Sequence, residues 1–137
     1  MRRVVVTGLG TINPLGNTVE EYFSNLDKGI SGARLITSFD TTLFKTRFAC
    51  TVEDFDPSGY GIEGKELRRI DRFAQFAMVA ADQAVKDSGL DPEKEDLDRI
   101  GVILGSGIGG IQSLTDEIMG YSVGGRIPRF SPFLITK

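Results

Sequence analysis

The chain has 137 residues, 40% hydrophobic and 26% charged, with a formal net charge of -3 at pH 7. That supports a globular domain with a core of its own and gives no global attraction for nucleic acid or an anionic membrane. Histidine is absent, and the single cysteine is Cys50. A Ser-His or Cys-His nucleophile pair therefore cannot be built from these residues alone, and neither can an internal disulfide framework. No cysteine pair or acidic cluster has metal-ligand spacing. No apolar run reaches the length of a secretory leader or a membrane span, so a cytoplasmic location is expected.

Arg3 to Thr7 predicts a first strand, continuous in valine as a strand covered on both faces should be. Residues 8–16 form a loop. Gly8-x-Gly10 opens like a dinucleotide turn, but Asn13-Pro14 stands where a third glycine belongs. Thr18 to Glu21 is a capping box, the Thr18 hydroxyl facing one orphan amide and Glu21 reaching back. It opens a helix to about Lys28, with Val19, Tyr22, Phe23 and Leu26 on its buried face and Gly29 ending it. Residues 29–44 read as irregular. Lys45 to Val52 alternates as a strand with Phe48 and Cys50 on one face. Cys50, mid-strand and far from any activating group, reads as structural rather than nucleophilic. Residues 54–64, with Pro57, Gly59, Gly61 and Gly64, read as a surface loop.

The longest predicted helix runs from about Lys65 to Asp87 and closes at Gly89. Leu67, Ile70, Ala74, Ala77, Ala81, Ala84 and Val85 give a narrow apolar stripe whose alanines admit a close neighbour. Lys65, Arg68, Arg69 and Arg72 fall at i, i+3, i+4 and i+7, on one side. Cations near a helix N-terminus oppose the macrodipole by about 0.3–1 kcal/mol each. Glu66 and Asp71 offset part of this. The stripe fits either a solvated face or a docking patch for an acidic partner.

An acidic connection, residues 90–99, leads to the apolar strand Ile100 to Leu104. Gly105, Gly107, Gly109 and Gly110 follow within six positions, and Gln112 to Met119 can be helical. Each glycine costs roughly 0.5–1 kcal/mol relative to alanine. Four together imply that something approaches the backbone closely or that it turns through positive φ. A plain tight turn and a ligand wall at a strand end both fit. The run also satisfies G-x-G-x-x-G, but the acidic residue expected about 20 positions on is missing, Arg129, Phe130 and Ser131 standing there. Residues 121–137 are rich in glycine and proline, carry Arg126 and Arg129, and end on an apolar run, 133–137, that looks cut rather than finished.

Four stretches together, VVVTGLGTINPLGNTVEEYF, KELRRIDRFAQFAMVAADQAVKDSGL, RIGVILGSGIGG and RFSPF, resemble the N-terminal part of the β-ketoacyl-acyl-carrier-protein synthases, most closely the type II condensing enzymes of bacterial fatty acid synthesis. The resemblance spans nearly all of the chain, which departs from close relatives at Ile135-Thr136-Lys137. It implies an α/β, thiolase-like fold layered α/β/α/β/α, with only part of the N-terminal half in these residues. It implies a homodimer, no cofactor, and decarboxylative condensation of acyl-ACP with malonyl-ACP by a cysteine and two histidines lying beyond this stretch. The 137 residues alone are then expected to be inactive, and Cys50 matches no catalytic position. By the same resemblance, Ile108, with Gly107 beside it, gates the acyl-chain pocket, and Phe133 lines the pocket of the partner subunit. Lys65, Arg68 and Arg69, assisted by Arg126 and Arg129, would dock acyl carrier protein. A non-catalytic carrier-binding module is the alternative, with a dinucleotide-binding domain behind it.

Overall fold

The structure, a computed structural model, describes residues 3–134. Residues 135–137, in the closing apolar run, lie outside the described residues. The chain forms two compact units, Met1–Asp56 with Val79–Asp91, and Pro57–Met78 with Pro92–Lys137.

The first unit holds helix α1 (Val19–Asp27), the short strands β1 (Ala33–Leu35) and β2 (Phe48–Cys50), and the C-terminal part of helix α2 (Arg72–Ser88). Thr18 caps α1 from an extended backbone, its hydroxyl accepting the Glu21 N–H at 3.2 Å. Glu21 reaches back as expected, but to the Asn17 N–H, at 2.8 Å, one residue earlier than in the reciprocal box. Gly29 ends the helix at φ +66°. The expected buried face is only partly covered: Val19 and Tyr22 are half-buried, while Phe23 and Leu26 are exposed. β1 lies in the stretch expected to be irregular and pairs antiparallel with β2, Ala33 opposite Cys50 and Leu35 opposite Phe48. Arg34 on β1 pairs with Glu53. Cys50 is exposed rather than packed into a core.

The loop before α1 is seated on α2 at very short range. A Cβ on Gly10 would stand 1.9 Å from the Ala80 carbonyl oxygen, and one on Gly8 2.2 Å from that of Ala84. The Leu9 N–H donates to the Asp87 carboxylate at 2.8 Å, and the Thr11 N–H to the Gln83 side-chain oxygen at 3.0 Å. Gln83 in turn donates to the Asn17 carbonyl at 2.7 Å. Ala80, Gln83, Ala84 and Asp87 share one helical face, so this face carries both the space and the hydrogen bonds that hold the loop. Gly8-x-Gly10 is thus a loop-on-helix contact of the chain with itself.

In the second unit, the part of the expected surface loop from Pro57 on contains a 3₁₀ turn, Ser58–Tyr60, closed by Gly61 at φ +75°. Ile62, expected on a surface loop, is only 2% exposed; with Val79 it is one of the two fully buried large side chains among the described residues. α2 begins at Arg72, not at Lys65. The preceding residues form hydrogen-bonded turns, Arg69 N–H to Glu66 carbonyl at 2.8 Å and Ile70 N–H to the same carbonyl at 3.1 Å. Asp71 takes the Arg72 N–H on its carboxylate at 2.7 Å and the Gln75 N–H on its carbonyl at 3.0 Å. An aspartate is a favoured N-cap, and starting the helix there keeps Lys65, Arg68 and Arg69 out of its positively poled first turn. After a 3₁₀ turn at Leu97–Arg99, helix α3 covers Ile111–Val123. It continues past the predicted Met119, through Gly120.

The two expected apolar strands are not strands here. Val4 is 92% exposed, Val102 88% and Ile103 100%. Residues 3–7 and 100–104 are irregular, and the sheet among the described residues is β1–β2 alone. A strand covered on both faces needs a neighbour on each edge, and neither run meets one.

Two expectations follow. Gly10→Ala forces a methyl into backbone it cannot displace and should lower stability by about 1–3 kcal/mol, the usual cost of overpacking, read by denaturant unfolding. Thr18→Ala removes the α1 cap and should cost about 1 kcal/mol, with Thr18→Ser retaining most of it.

Candidate functional site

The glycine run turns the chain from residue 104 into α3. The Ser106 hydroxyl accepts the Gly109 N–H at 3.0 Å, and Gly109 takes φ +70°, a conformation that L side chains rarely adopt. A Cβ on Gly110 would meet the Asp71 carboxylate oxygen Oδ2 at 2.2 Å. Both reasons for glycine therefore operate, one at each of two adjacent positions. Gly105 and Gly107 have open space around them. The close approach comes from the chain's own carboxylate. A phosphate placed at the N-terminus of α3 would face that negative charge, which weakens the dinucleotide reading further.

Beside this turn lies a cavity of about 270 Å³, bounded by Asp71, Ile108, Gly110, Ile111, Leu114 and Leu134. Its wall is mostly branched aliphatic side chains. Asp71 Oδ2 is the polar exception, buried and without a hydrogen-bond partner among the described residues. Ile108 is 75% exposed and stands at the mouth rather than inside. Gly107 adjoins it and is exposed. Ile111, Leu114 and Leu134 are wall residues that sequence reading did not single out. The i, i+3 apolar spacing of Ile111 and Leu114 on α3 was the available signal.

Phe133 is half-buried and does not bound this cavity. Its ring instead carries the Arg69 guanidinium, whose central carbon is 4.9 Å from the ring centroid. The segment holding Phe133 is tied down by two bonds: the Ser131 N–H donates to Glu117 on α3 at 3.1 Å, and the Phe133 N–H to the Ser131 hydroxyl at 3.2 Å. Lys65, Arg68 and Arg69 are all exposed on the turns before α2. They are grouped there by a turn, not by the helical face that their spacing suggested.

Arg126 and Arg129 are exposed on the segment after α3, Arg126 at φ +61° with its N–H donating to the Tyr121 carbonyl at 3.0 Å. Arg129 borders a second, larger hollow of about 480 Å³ against Asp116, Glu117, Tyr121 and Phe130. Its wall carries two carboxylates and Arg129, against the single carboxylate of Asp71 in the smaller cavity, whose other side chains are aliphatic. The smaller, aliphatic cavity is the better match to apolar cargo.

A family model described as the β-ketoacyl synthase N-terminal domain matches residues 1–131. The 3-oxoacyl-[acyl-carrier-protein] synthase 2 of Coxiella burnetii is 44% identical over 98% of this chain, which corresponds to 32% of the relative. The chain thus spans about a third of that relative's length. The ishigamide ketosynthase/chain length factor structure superposes with a TM-score of 0.79 at 36% identity, covering 99% of this chain and 34% of its own. A type II polyketide ketosynthase, solved in complex with its acyl-carrier protein and bound to the hexaketide, gives a TM-score of 0.74 at 32% identity, covering 99% of this chain and 35% of that one. By the match across nearly its whole length, this chain is a member of the β-ketoacyl synthase family.

Proposed function

We propose that this chain is the N-terminal portion of a 3-oxoacyl-acyl-carrier-protein synthase that elongates acyl chains in bacterial fatty acid synthesis. The observation that carries the reading is the 44% identity to a 3-oxoacyl-[acyl-carrier-protein] synthase 2 across 98% of the chain. In the reaction an acyl thioester and a malonyl thioester combine. The malonyl unit loses carbon dioxide, its α-carbon bonds to the acyl carbonyl carbon, and the acyl group's original thiol leaves, giving a 3-oxoacyl thioester two carbons longer.

These residues serve binding rather than bond making. With no histidine in the sequence, this reading assigns the nucleophile and the groups assisting decarboxylation to the part of the parent enzyme that these residues do not span. Ile108 and Gly107 shape the entrance for the acyl chain above the aliphatic wall of Ile111, Leu114 and Leu134. Phe133 contributes to the pocket of a partner subunit in a cytoplasmic homodimer. Lys65, Arg68 and Arg69, with Arg126 and Arg129, receive the acidic acyl carrier protein. The polyketide ketosynthase solved with its carrier supports that partner.

The direct test is condensation of acyl-ACP with malonyl-ACP by the intact protein, followed by release of carbon dioxide. A protein that binds carrier but releases none is a non-catalytic carrier-binding module. Within the active enzyme, Ile108→Phe should cut turnover of long acyl donors while sparing short ones. Equal rates across donor lengths for variant and parent would remove Ile108 from the gate. Replacing Lys65, Arg68 and Arg69 by glutamate should weaken carrier binding about three- to hundredfold, because each exposed ion-pair contact is worth roughly 0.2–1 kcal/mol. The loss should be larger at low ionic strength, where exposed charges are least screened. Unchanged affinity at low salt would exclude the basic turn as the dock.

A further inference from the structure

We infer that Phe133 is a positioning residue for carrier docking: its ring holds the Arg69 guanidinium in place to meet an anionic group on the carrier protein. The inference rests on the docking role proposed for the basic turn and assigns a second task to a residue otherwise placed in the acyl pocket. Arg69 is exposed, on a turn before α2, and an exposed arginine ordinarily samples many rotamers. Here its guanidinium carbon lies 4.9 Å from the Phe133 ring centroid, inside the range of a cation–π contact.

Both ends of the contact are anchored. The Arg69 N–H donates to the Glu66 carbonyl at 2.8 Å. Phe133 is half-buried and fixed through its N–H to Ser131, which is itself fixed to Glu117. A guanidinium resting on an aromatic face keeps its N–H donors available in its own plane, so the ring does not compete with a carboxylate or phosphate for them. It lowers the entropy lost when the arginine is immobilised by the partner. Lys65 and Arg68, exposed on the same turn, supply charge, while Arg69 supplies a pre-oriented fork.

The test is a double-mutant cycle in the intact protein, with affinity measured for holo-acyl carrier protein bearing no acyl group. Leaving the carrier unloaded keeps the acyl pocket out of the measurement. Phe133→Leu should weaken binding about two- to fivefold, the factor that an exposed cation–π contact supplies. Phe133→Tyr, which keeps the ring, should bind as the parent does, and it serves as the readout if the leucine variant does not fold. Phe133→Leu added to Arg69→Ala should cost nothing more than Arg69→Ala alone. A full additional loss in that background, or a weakened Phe133→Tyr, overturns the positioning role while leaving the docking reading intact. No loss on Arg69→Ala removes Arg69 from the dock and the inference with it; the separate charge reversal of Lys65 and Arg68 then reports whether the rest of the dock survives.

Discussion

The seating of the Gly8–Gly10 loop on α2 is the contact on which the first unit depends. Carbonyl oxygens of Ala80 and Ala84 approach the two glycine Cα positions so closely that no side chain fits between them. Helix carbonyls normally point along the axis, so an approach at this range needs small residues on both partners, glycine in the loop and alanine on the helix. Gln83 and Asp87 then take the amides of Thr11 and Leu9, groups that would otherwise go unpaired beside the helix. With that loop fixed, the Asn13–Gly16 turn follows, its Leu15 N–H taken by the Asn13 side chain at 2.8 Å and its Leu15 carbonyl by Asn25 of α1 at 2.6 Å. The helix cap at Thr18 comes directly after.

Asp71 has a comparable place in the second unit. One carboxylate oxygen accepts the first amide of α2, and the other lies against Gly110 at the start of α3. A single short acidic side chain thereby sets where one helix begins and how closely the glycine turn can come. With the helix starting after Asp71, Lys65, Arg68 and Arg69 lie in the turns before it, and Arg72 takes its first position.

Apolar surface is left open elsewhere. The chain exposes 11201 Å², against roughly 7,000 Å² for a folded monomer of its mass by the usual scaling. Runs such as Val4–Val6 and Val102–Leu104, whose side chains are exposed, contribute a part of the difference. Ile108, at the edge of the aliphatic cavity, is 75% exposed as well. The chain spans about a third of the length of the relative it matches.

Local rules settled a good part of this. The cap at Thr18, the ends at Gly29 and Gly89, the helices α1 and α3, and the strand around Cys50 were legible because each depends on neighbours within a few residues. The family was legible from motif order along the whole chain. Other features required the tertiary structure. The valine run has every local mark of a strand, yet strand formation needs hydrogen-bonding partners on another segment, which pattern cannot supply. The helical spacing of Lys65, Arg68 and Arg69 was real, but competition between an aspartate cap and a longer helix was decided by contacts of Asp71 with Arg72, Gln75 and Gly110. Likewise Gly8 and Gly10 carried no sign of what lay opposite them, because the partner carbonyls come from residues about 70 positions away. Sequence by itself determined the short-range elements and the family; close approach, strand pairing and the meeting of Arg69 with Phe133 were decided by distant segments brought together in space.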